Sequence, residues 1–130
     1  MRFMLIAKAT PLSESGAPPD PKLMAGIGKL MEDTIKAGQW VGTGGFMPTA
    51  LGARMKLSGG KVTVTDGPFS EIKELIAGYA IVDVKSKQEA LAIATRFLEI
   101  HAEVLGPSFE MDSEIRQMYA PPAADAGGKR

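Results

Sequence analysis

Apolar positions along the chain fall into short alternating runs and into stripes of three-to-four-residue spacing, and their order outlines a small α+β fold. In the run Phe3 to Ala9, Phe3, Leu5 and Ala7 share one face while Met4 and Ile6 occupy the other, the period of a strand. Both faces are apolar, so this strand needs cover twice: helices on one side and something else, such as a second subunit, on the other. The polar, proline-rich stretch Thr10 to Pro19 reads as a mobile loop, long enough to act as a flap. Asp20 then offers its carboxylate to free amides and Pro21 opens a helix. Leu23, Ile27, Leu30, Met31 and Ile35 keep helical spacing, and Gly38 supplies the stop. Gly26 and Gly28 each weaken that helix by about 1 kcal/mol relative to alanine, so packing must support it.

Gln39 to Phe46 reads as a second strand, weakened by Gly42, Gly44 and Gly45 and open to close backbone approach. Next, Ala53 to Ser58 and Lys61 to Asp66 flank Gly59-Gly60, the pair a tight hairpin turn demands. That register sets Leu57 against Val62, Met55 against Val64 and Arg54 against Thr65, which keeps Arg54 on the face away from Asp66. Ile76 to Val84 is another strand. Ser86 and Glu89 have the spacing of a capping box, with the serine reaching forward and the glutamate back. The helix they open carries Leu91, Ala94, Leu98, His101 and Leu105 on one stripe and stops at Gly106-Pro107. The last strand, Phe109 to Tyr119, alternates Phe109, Met111 and Ile115 with Glu110, Asp112, Glu114 and Arg116.

The order strand, helix, strand, hairpin, strand, helix, strand is that of a ferredoxin-like plait with an inserted β-hairpin. Two helices cover one sheet face only, and pairing with an identical sheet is the simplest cover for the other, so a homodimer is expected. Residues 1–119 form the single domain. Residues 120–130 are Ala, Pro, Gly and charge without periodicity and are expected to be disordered.

Composition narrows the partners. Fifteen basic and fifteen acidic side chains cancel, which gives no field for nucleic acid or an anionic membrane surface. There is no cysteine, hence no disulfide and no thiol chemistry, in keeping with a reducing, cytoplasmic setting. No stretch approaches the roughly 18 apolar residues of a membrane span.

The candidate chemistry lies in Asp66-Gly67-Pro68-Phe69-Ser70-Glu71-Ile72-Lys73-Glu74. This run resembles the signature of the DGPF (YCII-related) family, commonly Asp-Gly-Pro-Phe-Ala-Glu-Thr-Lys-Glu. Lys61 to Thr65 before it, Gly78-Tyr79 after it and the opening Phe3-Met4-Leu5 extend the resemblance over about residues 1–119. The resemblance implies a dimeric α+β barrel with a cleft at the dimer interface. Some members of the wider superfamily resemble degradative enzymes with a His-Asp pair, but the one histidine here, His101, lies in the second long helix, so that mechanism is not carried over.

Read from the residues themselves, the motif has two uses. In one, Asp66, Lys73 and Glu74 are catalytic groups, a carboxylate beside an ammonium, with Arg54, Gly44, Gly45, Phe69 and Glu71 binding the ligand. In the other, Asp-Gly-Pro is a structural turn and Lys73 forms an exposed ion pair with a glutamate. Ser70 and Lys73 copy a Ser-x-x-Lys spacing, but the partner motifs of that chemistry are missing. Gly42-Thr43-Gly44-Gly45 fits a bulge or crowded packing point better than an anion cradle. His101 fits a core-edge histidine, and scattered carboxylates give no ligand spacing, so neither a metal nor a cofactor is expected. Two functions follow: a cofactor-free enzyme acting on a small molecule in a dimer-interface cleft, or a non-catalytic metabolite-binding or regulatory dimer.

Overall fold

The computed structural model describes residues 1–120. Four strands make one antiparallel sheet: β1 (Arg2–Lys8), β2 (Trp40–Gly45), β5 (Ile76–Asp83) and β6 (Ser113–Gln117), in the order β2-β5-β1-β6. With the hairpin strands β3 (Ala53–Ser58) and β4 (Lys61–Asp66) set aside as a separate two-stranded sheet, this is the ferredoxin-like order, and the α+β expectation holds. The expected disorder from residue 121 onward lies outside the described residues.

Two long helices, α2 (Pro21–Lys36) and α3 (Lys87–Leu105), pack on one face of the sheet. The core between them is Phe3 and Leu5 of β1, Val82 of β5, the following Val84, and Ala90 and Ala94 of α3, with Ala80, Ile93 and Ile115 packed at its edge. Alternation in β1 therefore sends Phe3 and Leu5 inward, and Met4 and Ile6 to the face away from the helices. There Met4 pairs across with Ile81 and Ile6 with Tyr79. These four side chains are only half-buried, because no element among the described residues covers that face.

Several elements depart from expectation for local reasons. Thr10 to Pro19 is not a plain loop: it contains a short helix, α1 (Pro11–Glu14), capped reciprocally by Thr10 and Ser13, with Thr10 buried. Thr10-Pro11 is the same cap-and-proline start as Asp20-Pro21, hidden because the apolar run behind it is too short to show a period. In α2 the inward stripe ends at Thr34 and not at Met31 and Ile35, which are exposed. A threonine can be buried there because its hydroxyl donates to the Leu30 carbonyl at 2.7 Å. Glu89 does reach back, but to the amide of Lys85, one residue before the Ser86 cap, and it also accepts from Gln39 Nε2. The last strand is shorter than Phe109 to Tyr119 because its partner β1 offers only seven residues to pair with. Phe109 instead stacks on His101, with ring centroids 5.9 Å apart.

Candidate functional site

The hairpin forms in the expected register, Arg54–Thr65, Met55–Val64 and Leu57–Val62, around Gly59 and Gly60, both with positive φ. Arg54 therefore points away from Asp66 and meets the motif further along. Its guanidinium donates to the Glu71 carboxylate at 3.0 Å and lies over the Phe69 ring, 4.0 Å from the centroid. Ser70 donates its hydroxyl to the other Glu71 oxygen at 2.9 Å. These contacts, the Ser70 hydroxyl first and Arg54 second, hold the Glu71 carboxyl below its ordinary range. The glutamate paired in the motif is thus Glu71, and its cation is Arg54, not Lys73. Ser70 is engaged by Glu71 as well, so the Ser-x-x-Lys spacing brings no Ser70–Lys73 pair together.

The turn is docked on the segment before the hairpin. Gly67 donates its amide to the Gly52 carbonyl at 2.9 Å, and a Cβ at Gly67 would fall on the Thr49 carbonyl oxygen. Glycine at this position answers a close approach between two backbones as much as the turn itself. Thr49 completes the joint: its amide and hydroxyl both donate to the Glu14 carboxylate, at 3.0 Å and 2.6 Å, and its hydroxyl oxygen accepts the Phe69 amide at 3.1 Å. Glu14 and Thr49 are site-forming residues that sequence reasoning missed. The stretch expected to be a mobile flap is tied through Glu14 to the base of the hairpin.

Asp66 ends β4, while Lys73 and Glu74 lie in the 3₁₀ turn Ile72–Glu74. All three are exposed, and among the described residues no side-chain hydrogen bond or ion pair joins any of them to another group. The structure therefore brings together Arg54, Phe69 and Glu71, and leaves Asp66, Lys73 and Glu74 as solvent-facing charges at the motif's two ends.

Gly44 and Gly45 lie on β2, outside this joint. A Cβ on Gly44 would meet the Tyr79 ring at 2.8 Å, and Tyr79 in turn lies 5.9 Å from Phe46. Gly44 is the crowded packing point, and the register shift between Trp40 and Gly42 is the bulge. Open space surrounds the Cβ position of Gly45. His101 is buried; its Nδ1 lies 2.9 Å from the Phe97 carbonyl, and its ring packs between Phe97 and Phe109. Among the described residues no group of three or more His, Asp or Glu side chains could hold a metal ion. No described helix is long and apolar enough to cross a membrane.

Comparison with known proteins bears on the whole domain. The chain is 32% identical over 75 residues to an uncharacterised protein of Rhizobium meliloti (strain 1021), R00369, across 58% of this chain and 60% of the relative. The chain thus matches less than two thirds of that relative's length. The family profile of the YCII-related domain matches residues 1–104, from β1 to the last turn of α3 and across the whole Asp-Gly-Pro-Phe motif. With the ferredoxin-like strand order and the motif turn in place, the chain belongs to the YCII-related domain family.

Proposed function

We propose that this chain works as a homodimer that takes a small polar molecule in a cleft between its two copies. The observation that supports this reading is the uncovered sheet face, where Met4, Ile6, Tyr79 and Ile81 stand half-buried with Phe46 exposed beside them. Burying a row of that kind against its own copy is the simplest way to remove it from water. Sedimentation equilibrium at micromolar concentration tests the association, and a well-folded single subunit there would end the proposal.

We infer further that the exposed charges of the motif reach this cleft and serve proton transfer without a cofactor. Asp66 or Glu74 accepts a proton, and Lys73 stabilises the anion that forms. Arg54 is the weaker candidate for that second role, because Glu71 already neutralises it. Asp66 is exposed and its carboxylate holds no other side chain among the described residues, so Asp66→Ala should leave the melting temperature within about 2 °C of the parent. With Asp66 as the acceptor, the same variant should abolish turnover of any substrate found by a thermal-shift screen of small carboxylates and enols; turnover that survives it and is lost in Glu74→Ala makes Glu74 the acceptor.

A second reading, a non-catalytic metabolite-binding dimer, is favoured by one observation: Gly67, Phe69 and Glu71 of the motif are all spent on holding the hairpin base. A screened compound that binds and emerges chemically unchanged supports this second reading; steady release of product rules it out.

A further inference from the structure

Every residue of β3 and β4 is exposed, and their pairing gathers Met55, Leu57, Val62 and Val64 on one face of the ribbon. These four side chains keep 72%, 73%, 57% and 61% of their surface in water. Arg54, Lys56 and Lys61 alternate onto the opposite face with Ser58, Thr63 and Thr65. A two-stranded ribbon is marginal in water unless something packs on its apolar side. This one is nonetheless fixed at its base by the Gly67 amide, the Thr49 joint and the Arg54–Glu71 pair. A clamped base beneath an unsupported apolar ribbon describes an arm.

We infer that the β3–β4 hairpin is an arm that packs its apolar face onto a second copy of this chain, within the same interface as the open sheet face. The inference rests on the dimeric reading above and adds the element that closes the cleft. Exposed apolar side chains join the two regions in sequence: the Phe46 ring lies 5.9 Å from that of Tyr79, and Met47 and Leu51, both exposed, come between Phe46 and the ribbon. Area points the same way, since a stable interface needs about 800 Å² from each partner. Four half-buried sheet side chains fall short of that, and the ribbon supplies further apolar surface.

The test uses the full chain and the paired substitution Leu57→Glu with Val62→Lys, which removes apolar surface while an opposite-charge pair across the strands keeps the ribbon closed. Sedimentation equilibrium should show a dimer for the parent and a dissociation constant raised by about tenfold or more for the variant, with unchanged far-ultraviolet circular dichroism. An equally tight dimer in the variant overturns the arm and leaves the dimeric reading standing; a monomeric parent overturns both. A photo-crosslinker on Leu57→Cys, in a chain with no other cysteine, gives an independent readout in a mixture of isotope-labelled and unlabelled protein. Mixed-isotope products on the sheet residues of the other copy support the inference. Products confined to the same copy, or to α2 or α3 of the other, overturn it.

Discussion

The hydroxyl of Thr49 donates to Glu14, 35 residues earlier, and accepts from the amide of Phe69, 20 residues later. Replacing it with valine keeps the shape but leaves the Phe69 amide and one carboxylate oxygen without their protein partner. Thr49→Val should cost about 1–3 kcal/mol, read as a lowered urea midpoint. It should also loosen the hairpin base, seen as faster amide exchange at Gly67 and Phe69, and unchanged exchange there would refute the role given to Thr49. Nothing in the spacing of Glu14, Thr49 and Phe69 announced this joint, because residues that meet through tertiary folding carry no local period. The motif's partners were legible only in part. Arg54 was placed on the correct side of the ribbon by counting, whereas its pairing with Glu71 depended on where the chain runs after Pro68.

Among the elements, the two glycines of α2 separate helix propensity from packing. A Cβ on Gly26 would come within 2.7 Å of Ile100 Cγ2 in α3, while Gly28 meets nothing within 4 Å. Gly28→Ala should therefore stabilise the protein by about 0.5–1 kcal/mol through propensity alone. Gly26→Ala should instead be destabilising, by about 1–3 kcal/mol of overpacking less that same gain. Opposite shifts in the urea midpoint are the expected result, and shifts of the same sign would mean that the two helices adjust freely. Sequence reading treated these glycines alike, since close approach of α2 to α3 leaves no trace in either helix. It found the hairpin in full because Gly59-Gly60 fixes both turn and register. It overran β6 because the alternation of Phe109 to Tyr119 continues past the end of the strand it pairs with.

For the molecule as a whole, acid should be more damaging than mild base. Hydrogen bonds hold three carboxyls below their ordinary values: Glu71 by Ser70 and then Arg54, Asp83 by Arg2, and Glu103 by Arg96. A carboxyl whose pKa is lower in the folded chain than in the unfolded one stabilises the fold above the unfolded value, and loses that contribution as pH falls through the folded value. Stability set by these groups should be level near neutrality and decline below about pH 4. All three pairs are exposed, so the decline should be modest and should shrink in high salt. Urea midpoints measured in dilute buffer at neutral and acid pH check the sign, and a midpoint that rose on acidification would contradict it.

The position of β1 has a kinetic consequence. It is an inner strand of the sheet, yet its neighbours arrive late in the chain: Arg2 meets Asp83, 81 residues on, and the Ile6 carbonyl meets the Ser113 hydroxyl, 107 residues on. During synthesis, a strand apolar on both sides must therefore wait for β5 and β6 to emerge before its edges are paired. Such high contact order slows folding and prolongs the exposure of a segment that is apolar on both faces.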